Sequence, residues 1–341
     1  MLGGWLLSVA LVVAACGTAA GPPSSEAISW SRVPHDEAIF GGAGVQRMAS
    51  VTAGGPGLVA VGSVGPVDDA DAAVWTSLDG LNWSRVTHDE AALGGERSQR
   101  MTSVTVGGPG LVAVGWDRSG GDQDAAVWTS PDGIAWFRIP HDEAALGGEG
   151  SQRLASVTSG GPGLVAVGSD RSGGDVDAAV WTSPVGIVWS RVPHSEAVFG
   201  GEDSQDMRGV TAGGEELVAV GSDRSGGDQD AAVWTSPDGI TWSRVPHDEA
   251  VFGGEGFEFI VSVTSGGPGL VAVGRDGLGD ADAAVWTSPD GLTWSRVPHD
   301  EAVFGGVGRH GMRSVTAGGP GLVAVGEEGS RGAVWVMARE D

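Results

Sequence analysis

The chain has 341 residues, a net charge of −25, 61 glycines, 14 tryptophans and no tyrosine. Its 19 basic residues are all arginine, and its one cysteine is Cys16. Charge of that sign and size repels a phosphate backbone and argues against a nucleic-acid partner; a single cysteine excludes an intrachain disulfide.

Residues 5–15, WLLSVALVVAA, form an apolar run. It is too short to cross a bilayer as a helix and has the length of a signal-peptide core. The run ends Val13-Ala14-Ala15-Cys16. Small residues before a cysteine resemble the bacterial lipoprotein signal, although residues 1–5 carry no basic side chain. The resemblance implies a signal peptide over residues 1–15, lipid on Cys16, export, and attachment to the extracytoplasmic face of the cell membrane. Residues 16–27 are small, polar and proline-bearing, which predicts a flexible tether. Residues 28–341 are a repeat array.

Four short blocks alternate through that array. The first carries Trp30, Trp83, Trp136, Trp189, Trp242 and Trp294. The second centres on Val51, Val104, Val157, Val210, Val263 and Val315. The third, LVAVG, starts at Leu58, Leu111, Leu164, Leu217, Leu270 and Leu322. The fourth ends at Trp75, Trp128, Trp181, Trp234, Trp286 and Trp335. Each block is rich in Val, Trp, Thr or Leu and bounded by Gly, Pro, Asp or Ser, the pattern of strands between turns. Four strands repeated six times predict an all-β, six-bladed β-propeller with four antiparallel strands per blade. The array begins with the lone Trp30 strand and ends on a third strand. The Trp30 strand is therefore expected to pair in the last blade, closing the ring and removing its open sheet edges. The expected state is a monomer.

Within each unit, Trp234-Thr-Ser-Pro-Asp-Gly-Ile-Thr-Trp242 reads as a hairpin. A three-residue turn, Pro237-Asp238-Gly239, would place Trp234 opposite Trp242. The segments 236–242 and 288–294, Ser-Pro-Asp-Gly-x-Thr-Trp, resemble the Asp-box or BNR repeat of sialidases and sortilin-type receptors. Two departures are visible: the family pattern has one more residue between Asp and Gly, and residues 183–186 read Ser-Pro-Val-Gly. The resemblance implies a propeller in which the box is a structural turn between third and fourth strands, away from any active site.

The loops from second to third strand are acidic. Asp117, Asp122 and Asp124 in one blade, and Asp223, Asp228 and Asp230 in another, are candidate calcium ligands, because clustered carboxylates suit a hard cation. The competing reading is a solvated turn whose aspartates bond nearby amides. The connectors between blades carry His35, His88, His141, His194, His247 and His299, mostly as His-Asp-Glu. Near-identical copies spread around a ring, without the i, i+4 histidine spacing of helical zinc sites, read as structural turns. Trp116 follows LVAVG in one blade only and is a candidate exposed aromatic.

Residues shared by all blades answer to architecture, so a specific site is expected where the repeats differ. They differ just before the first strand: Gln46-Arg47, Gln99-Arg100, Gln152-Arg153, Gln205-Asp206, Glu258-Phe259 and His310-Gly311. Arg47, Arg100, Arg153, Gln99, Gln152, Asp206, Glu258 and His310 are the expected ligand-binding set at the mouth of the central channel, with the arginines suited to an anionic group. Without tyrosine the sialidase nucleophile is missing, and no other catalytic motif is present. The expectation is a non-enzymatic binding or scaffold module at the cell envelope, for a protein or glycan ligand. The alternative is a glycan-active hydrolase or lyase of sialidase-like fold.

Overall fold

The computed structural model describes residues 35–338, apart from 215, 255, 268, 278, 280, 307, 319–320 and 329–330. The expected signal peptide, the lipidated Cys16, the tether and the Trp30 strand lie outside the described residues. The rest is a six-bladed β-propeller of four-stranded antiparallel blades. Blade 1 runs Val45–Gly54, Gly57–Gly65, Asp71–Ser77 and Trp83–Arg85, in that spatial order. Blades 2 to 5 repeat it, and three strands of blade 6 are described, His310–Gly318, Gly321–Glu328 and Arg331–Ala338. No helix among the described residues is long and apolar enough to cross a membrane.

The first strands are the inner ones. They meet around the axis through a repeated serine: Ser50 Oγ accepts from the Val104 amide at 3.3 Å, Ser103 Oγ from Val157 at 3.2 Å, and Ser156 Oγ from Val210 at 3.3 Å. First strands shift register at this position, as between Met101 and Ser103, and in blade 4, where Gly209 stands in place of the serine, between Met207 and Gly209. The glycine of LVAVG accommodates the shift, since a Cβ on Gly115 would overlap the Arg100 carbonyl oxygen.

The core lies between blades rather than within them. Val59, Val61, Ala72 and Val74 of blade 1 pack on Leu111, Ala113, Trp128 and Trp136 of blade 2, all buried. Removing such apolar surface from water is the main stabilising force, at about 25 cal/mol per Å². The third-strand tryptophans also tie adjacent units: Trp128 Nε1 donates to the Ala92 carbonyl at 2.8 Å and Trp181 Nε1 to Ala145 at 2.7 Å.

The hairpin differs from the sequence expectation. Trp234 lies opposite Arg244, not Trp242. In blade 1 Ser77 pairs with Trp83, so the turn spans five residues rather than three. The serine that opens the turn is the shared feature: blade 3, with Val185 in place of the aspartate, keeps the same register, with Trp181 opposite Arg191. In the other hairpins the aspartate adds its own bonds. Asp238 Oδ1 accepts from the Ile240 and Thr241 amides at 2.8 and 2.6 Å, and Ser236 Oγ accepts from Gly239 at 2.8 Å. These bonds hold a broader loop, with Gly239 at φ +77°, and carry the chain two residues further before pairing resumes. The facing arginine then stacks on the tryptophan, with the Arg244 guanidinium carbon 5.7 Å from the Trp234 ring centre.

Candidate functional site

Each blade brings two strand positions to the channel mouth on the connector face. One is on the inner strand: Arg47, Arg100, Arg153, Asp206, Phe259 and Gly311. The other is its partner on the second strand: Ser63, Trp116, Ser169, Ser222, Arg275 and Glu327. No two blades carry the same pair except blades 1 and 3, so the ring's symmetry is broken here.

The residue before each inner position points the other way, because side chains alternate across a strand. That overturns half of the expected ligand set. Gln99, Gln152 and Glu258 are fully buried, and His310 is nearly so. Gln99 Nε2 donates to Asp117 Oδ1 at 3.0 Å and to the Glu96 carbonyl at 3.1 Å. Gln152 makes the same bonds to Asp170 and Glu149, at 3.0 Å each. These are blade-edge locks, not ligand contacts. Arg47, Arg100, Arg153 and Asp206 remain at the mouth.

The structure adds residues that the sequence did not single out. Arg208 Nε bonds Asp206 Oδ2 at 2.7 Å, and its guanidinium carbon sits 4.3 Å from the centre of the Phe259 ring. Arg275, largely buried, pairs with Glu327 of the next blade, which also holds Arg313 at 2.8 Å. Arg100 Nη2 donates to the Val67 carbonyl of blade 1 at 2.9 Å. Trp116 is buried, contrary to expectation, with Arg100 and Arg118 lying 5.1 and 5.4 Å from its ring centre. Cationic side chains cover the indole that would otherwise meet water.

Electrostatically the mouth is an arginine collar. Burial lowers the pKa of Arg100, and repulsion from Arg47 and Arg118 lowers it further. Burial lowers Arg153 as well; Asp206 opposes that shift while Arg208, Arg47 and Arg100 add to it. Burial, with Arg313, Arg309 and Arg208 nearby, lowers Arg275 to about 10. All stay charged at neutral pH. The collar is thus a focus of positive charge in a chain of net charge −25, suited to an anionic group. Asp206 and Glu327 are the carboxylates of the two mouth columns.

The six aspartates weighed as calcium ligands do not converge. Asp117 accepts from Gln99 and Ser119 and pairs with Arg138 at 2.8 Å. Asp223 does the same with Gln205, Ser225 and Arg244. Asp122 and Asp228 are exposed. Asp230 turns to the connector, with Oδ2 3.8 Å from His247 Nε2. Asp124 holds the corresponding place in blade 2, near His141.

A scan against protein-family models and a search of curated proteins each returned no match. Solved structures do match. A thermostable family-43 glycoside hydrolase is 12% identical with a TM-score of 0.43, covering 86% of this chain and 93% of its own. A GH32 β-fructofuranosidase from Bombyx mori, in complex with sucrose, is 12% identical with a TM-score of 0.40, over 84% and 62%. A family 117 glycoside hydrolase from Zobellia galactanivorans is 14% identical with a TM-score of 0.34, over 52% and 55%. At these identities the likeness is one of fold. These neighbours are glycoside hydrolases, where the expectation had been a non-enzymatic binding or scaffold module.

Proposed function

We propose that this chain is a glycan-active hydrolase that takes an anionic carbohydrate at the channel mouth. The observation that supports it is the arginine collar, set in an otherwise acidic molecule. A uronate carboxylate or a sulfate would pair with guanidinium forks, whose geometry matches such groups. Asp206 and Glu327 stand in the same collar. Glycoside hydrolysis asks one carboxyl to protonate the leaving oxygen and the other to activate water or attack the anomeric carbon. With no tyrosine in the chain, a two-carboxylate scheme is the one available. Arg208 and Arg275 pair with the two carboxylates in the free protein, and a bound anion would compete for those arginines.

The finer readings belong to the same proposal. The Ser-Pro-Asp-Gly hairpins are Asp-box turns used as structure, on the face opposite the collar. Residues 1–15 export the protein, and lipid on Cys16 anchors it outside the cytoplasmic membrane as a monomer. Cys16→Ala should release it from the membrane fraction.

Activity is tested by reducing-sugar release from a panel of uronate, sulfated, sialylated and neutral glycans. The expected result is turnover of an anionic member, abolished in Asp206→Asn and in Glu327→Gln while binding persists. Binding without turnover on every glycan, or turnover unchanged in the double variant, overturns the reading.

A further inference from the structure

We propose that the blade rim carries a set of divalent transition-metal sites, each built from an aspartate, a histidine and a glutamate. The connector turns are short helices, such as Glu90–Leu93. In the His88-Asp89-Glu90 triplet the middle residue is not a ligand: Asp89 Oδ1 caps the helix, accepting from the Ala91 amide at 3.0 Å. The other two converge. Glu90 folds back so that Oε2 lies 3.0 Å from His88 Nε2, and Asp71, the first residue of the third strand, brings Oδ2 to 3.8 Å from the same nitrogen.

The arrangement recurs. His247 has Glu249 at 3.1 Å and Asp230 at 3.8 Å; His299 has Glu301 at 3.2 Å and Asp282 at 3.8 Å. In these three copies the donor atoms all lie within 4.8 Å of one another. His194 has Glu196 at 3.2 Å and Asp177 at 3.9 Å, beside a cavity of 480 Å³. There Ser195 replaces the capping aspartate and makes no side-chain cap bond, yet the three donors stay. The triad is therefore not a by-product of the cap.

Space is reserved for the carboxylate. Gly94 follows the helix, and a Cβ there would lie 2.6 Å from Glu90 Oε2. Any other residue would push the glutamate away from the histidine. The result is two carboxylates against one imidazole. A cation at the centre would relieve that crowding.

The donor set selects the ion. A tetrahedral ion with bonds of about 2.0–2.1 Å has donor edges of about 3.3–3.4 Å, inside the 3.0–3.8 Å span seen at His88. One imidazole and two carboxylates suit zinc or cobalt, with a fourth position for water. Three donors including a nitrogen do not suit calcium, which takes six to eight oxygens.

The test uses the tag-free chain stripped with EDTA. Zn2+ is titrated by calorimetry, and Co2+ by its visible absorption, which is intense when the ion is four-coordinate. The expected result is saturable binding of at least three ions per chain. The variant His88→Gln/His247→Gln/His299→Gln should lose three of them and leave the unfolding midpoint in EDTA unchanged. No saturable Zn2+ binding, a stoichiometry unchanged in the triple variant, or displacement of Co2+ by millimolar Ca2+ overturns the proposal.

Discussion

Arg275 reaches from the fifth blade across Gly311 to pair with Glu327 in the sixth. A Cβ at residue 311 would overlap the Arg275 Nε. The glycine is thus explained by its neighbour's side chain and not by its own backbone. Gly311→Ala should displace the guanidinium and break the link, costing about 1–3 kcal/mol as overpacking does in other interiors. Urea denaturation measures it. In an Arg275→Ala background the same substitution should cost much less, because residues in contact are not additive; equal costs in both backgrounds would refute the explanation.

Glu258 occupies the slot that holds glutamine in the four preceding blades. Gln99, Gln152 and Gln205 each donate to an aspartate of the second strand, but an ionised glutamate cannot donate. Neither Glu258 carboxylate oxygen has a hydrogen-bond partner among the described residues, and the side chain is fully buried. Burial raises its pKa above 4.5. Below 4.5 the group is protonated in folded and unfolded states alike and shifts nothing. As pH climbs through the raised value, the unfolded chain ionises first, so the native state loses stability and then levels off. Glu258→Gln should remove that slope and stabilise the protein at neutral pH by about 1–2 kcal/mol, the worth of satisfying a buried polar group. Denaturation midpoints at acid and neutral pH decide it; equal midpoints for the two proteins at neutral pH would count against the assignment.

Why the blades were legible and the mouth only half so follows from the same residues. Strand blocks bounded by glycine and proline repeat visibly, and six copies average out local ambiguity. Side-chain direction does not average. Gln99 and Arg100 are adjacent in sequence yet serve opposite sides of one strand, and only pairing with Asp117 and Trp116 separates them. Arg275 and Glu327 belong to the mouth through register on a second strand, 16 residues beyond Phe259 and Gly311. A signal was present: the residue after LVAVG is Ser, Trp, Arg or Glu where its neighbours hardly change. The hairpin was misplaced because a serine hydroxyl accepting the glycine amide holds a five-residue loop, with or without the aspartate, which residue spacing alone does not disclose.

Blade 3 offers an internal control for that loop. Ser183 Oγ still accepts from the Gly186 amide at 2.8 Å, but Val185 stands where the other hairpins have aspartate. Asp132, Asp238 and Asp290 have lowered pKa values, first because backbone amides donate to them. Such groups stabilise the fold above the unfolded value of 3.8 and lose that effect as pH falls through the lowered one. Val185→Asp should therefore raise the urea midpoint at neutral pH and give no gain once the new carboxyl is protonated. Asp238→Val should do the reverse. A Val185→Asp gain that persists at pH ~2, below the reference carboxylate range, would mean that the effect is not the carboxylate.

The collar makes its own prediction about recognition. Arg153 stands at the mouth, crowded by its neighbours yet open to the channel, and its charge couples most to Asp206 and then to Arg208, Arg47 and Arg100. Arg153→Met keeps the length of the side chain and removes the charge. A lost charge-assisted hydrogen bond of about 1.5–3 kcal/mol should weaken an anionic glycan at least tenfold, read as a rise in KM or Kd. The loss should shrink as salt rises from ~50 to ~300 mM, because screening already weakens the wild type's attraction. A neutral glycan of equal length should bind both proteins alike. Unchanged affinity for the anionic glycan at low salt would remove Arg153 from the site.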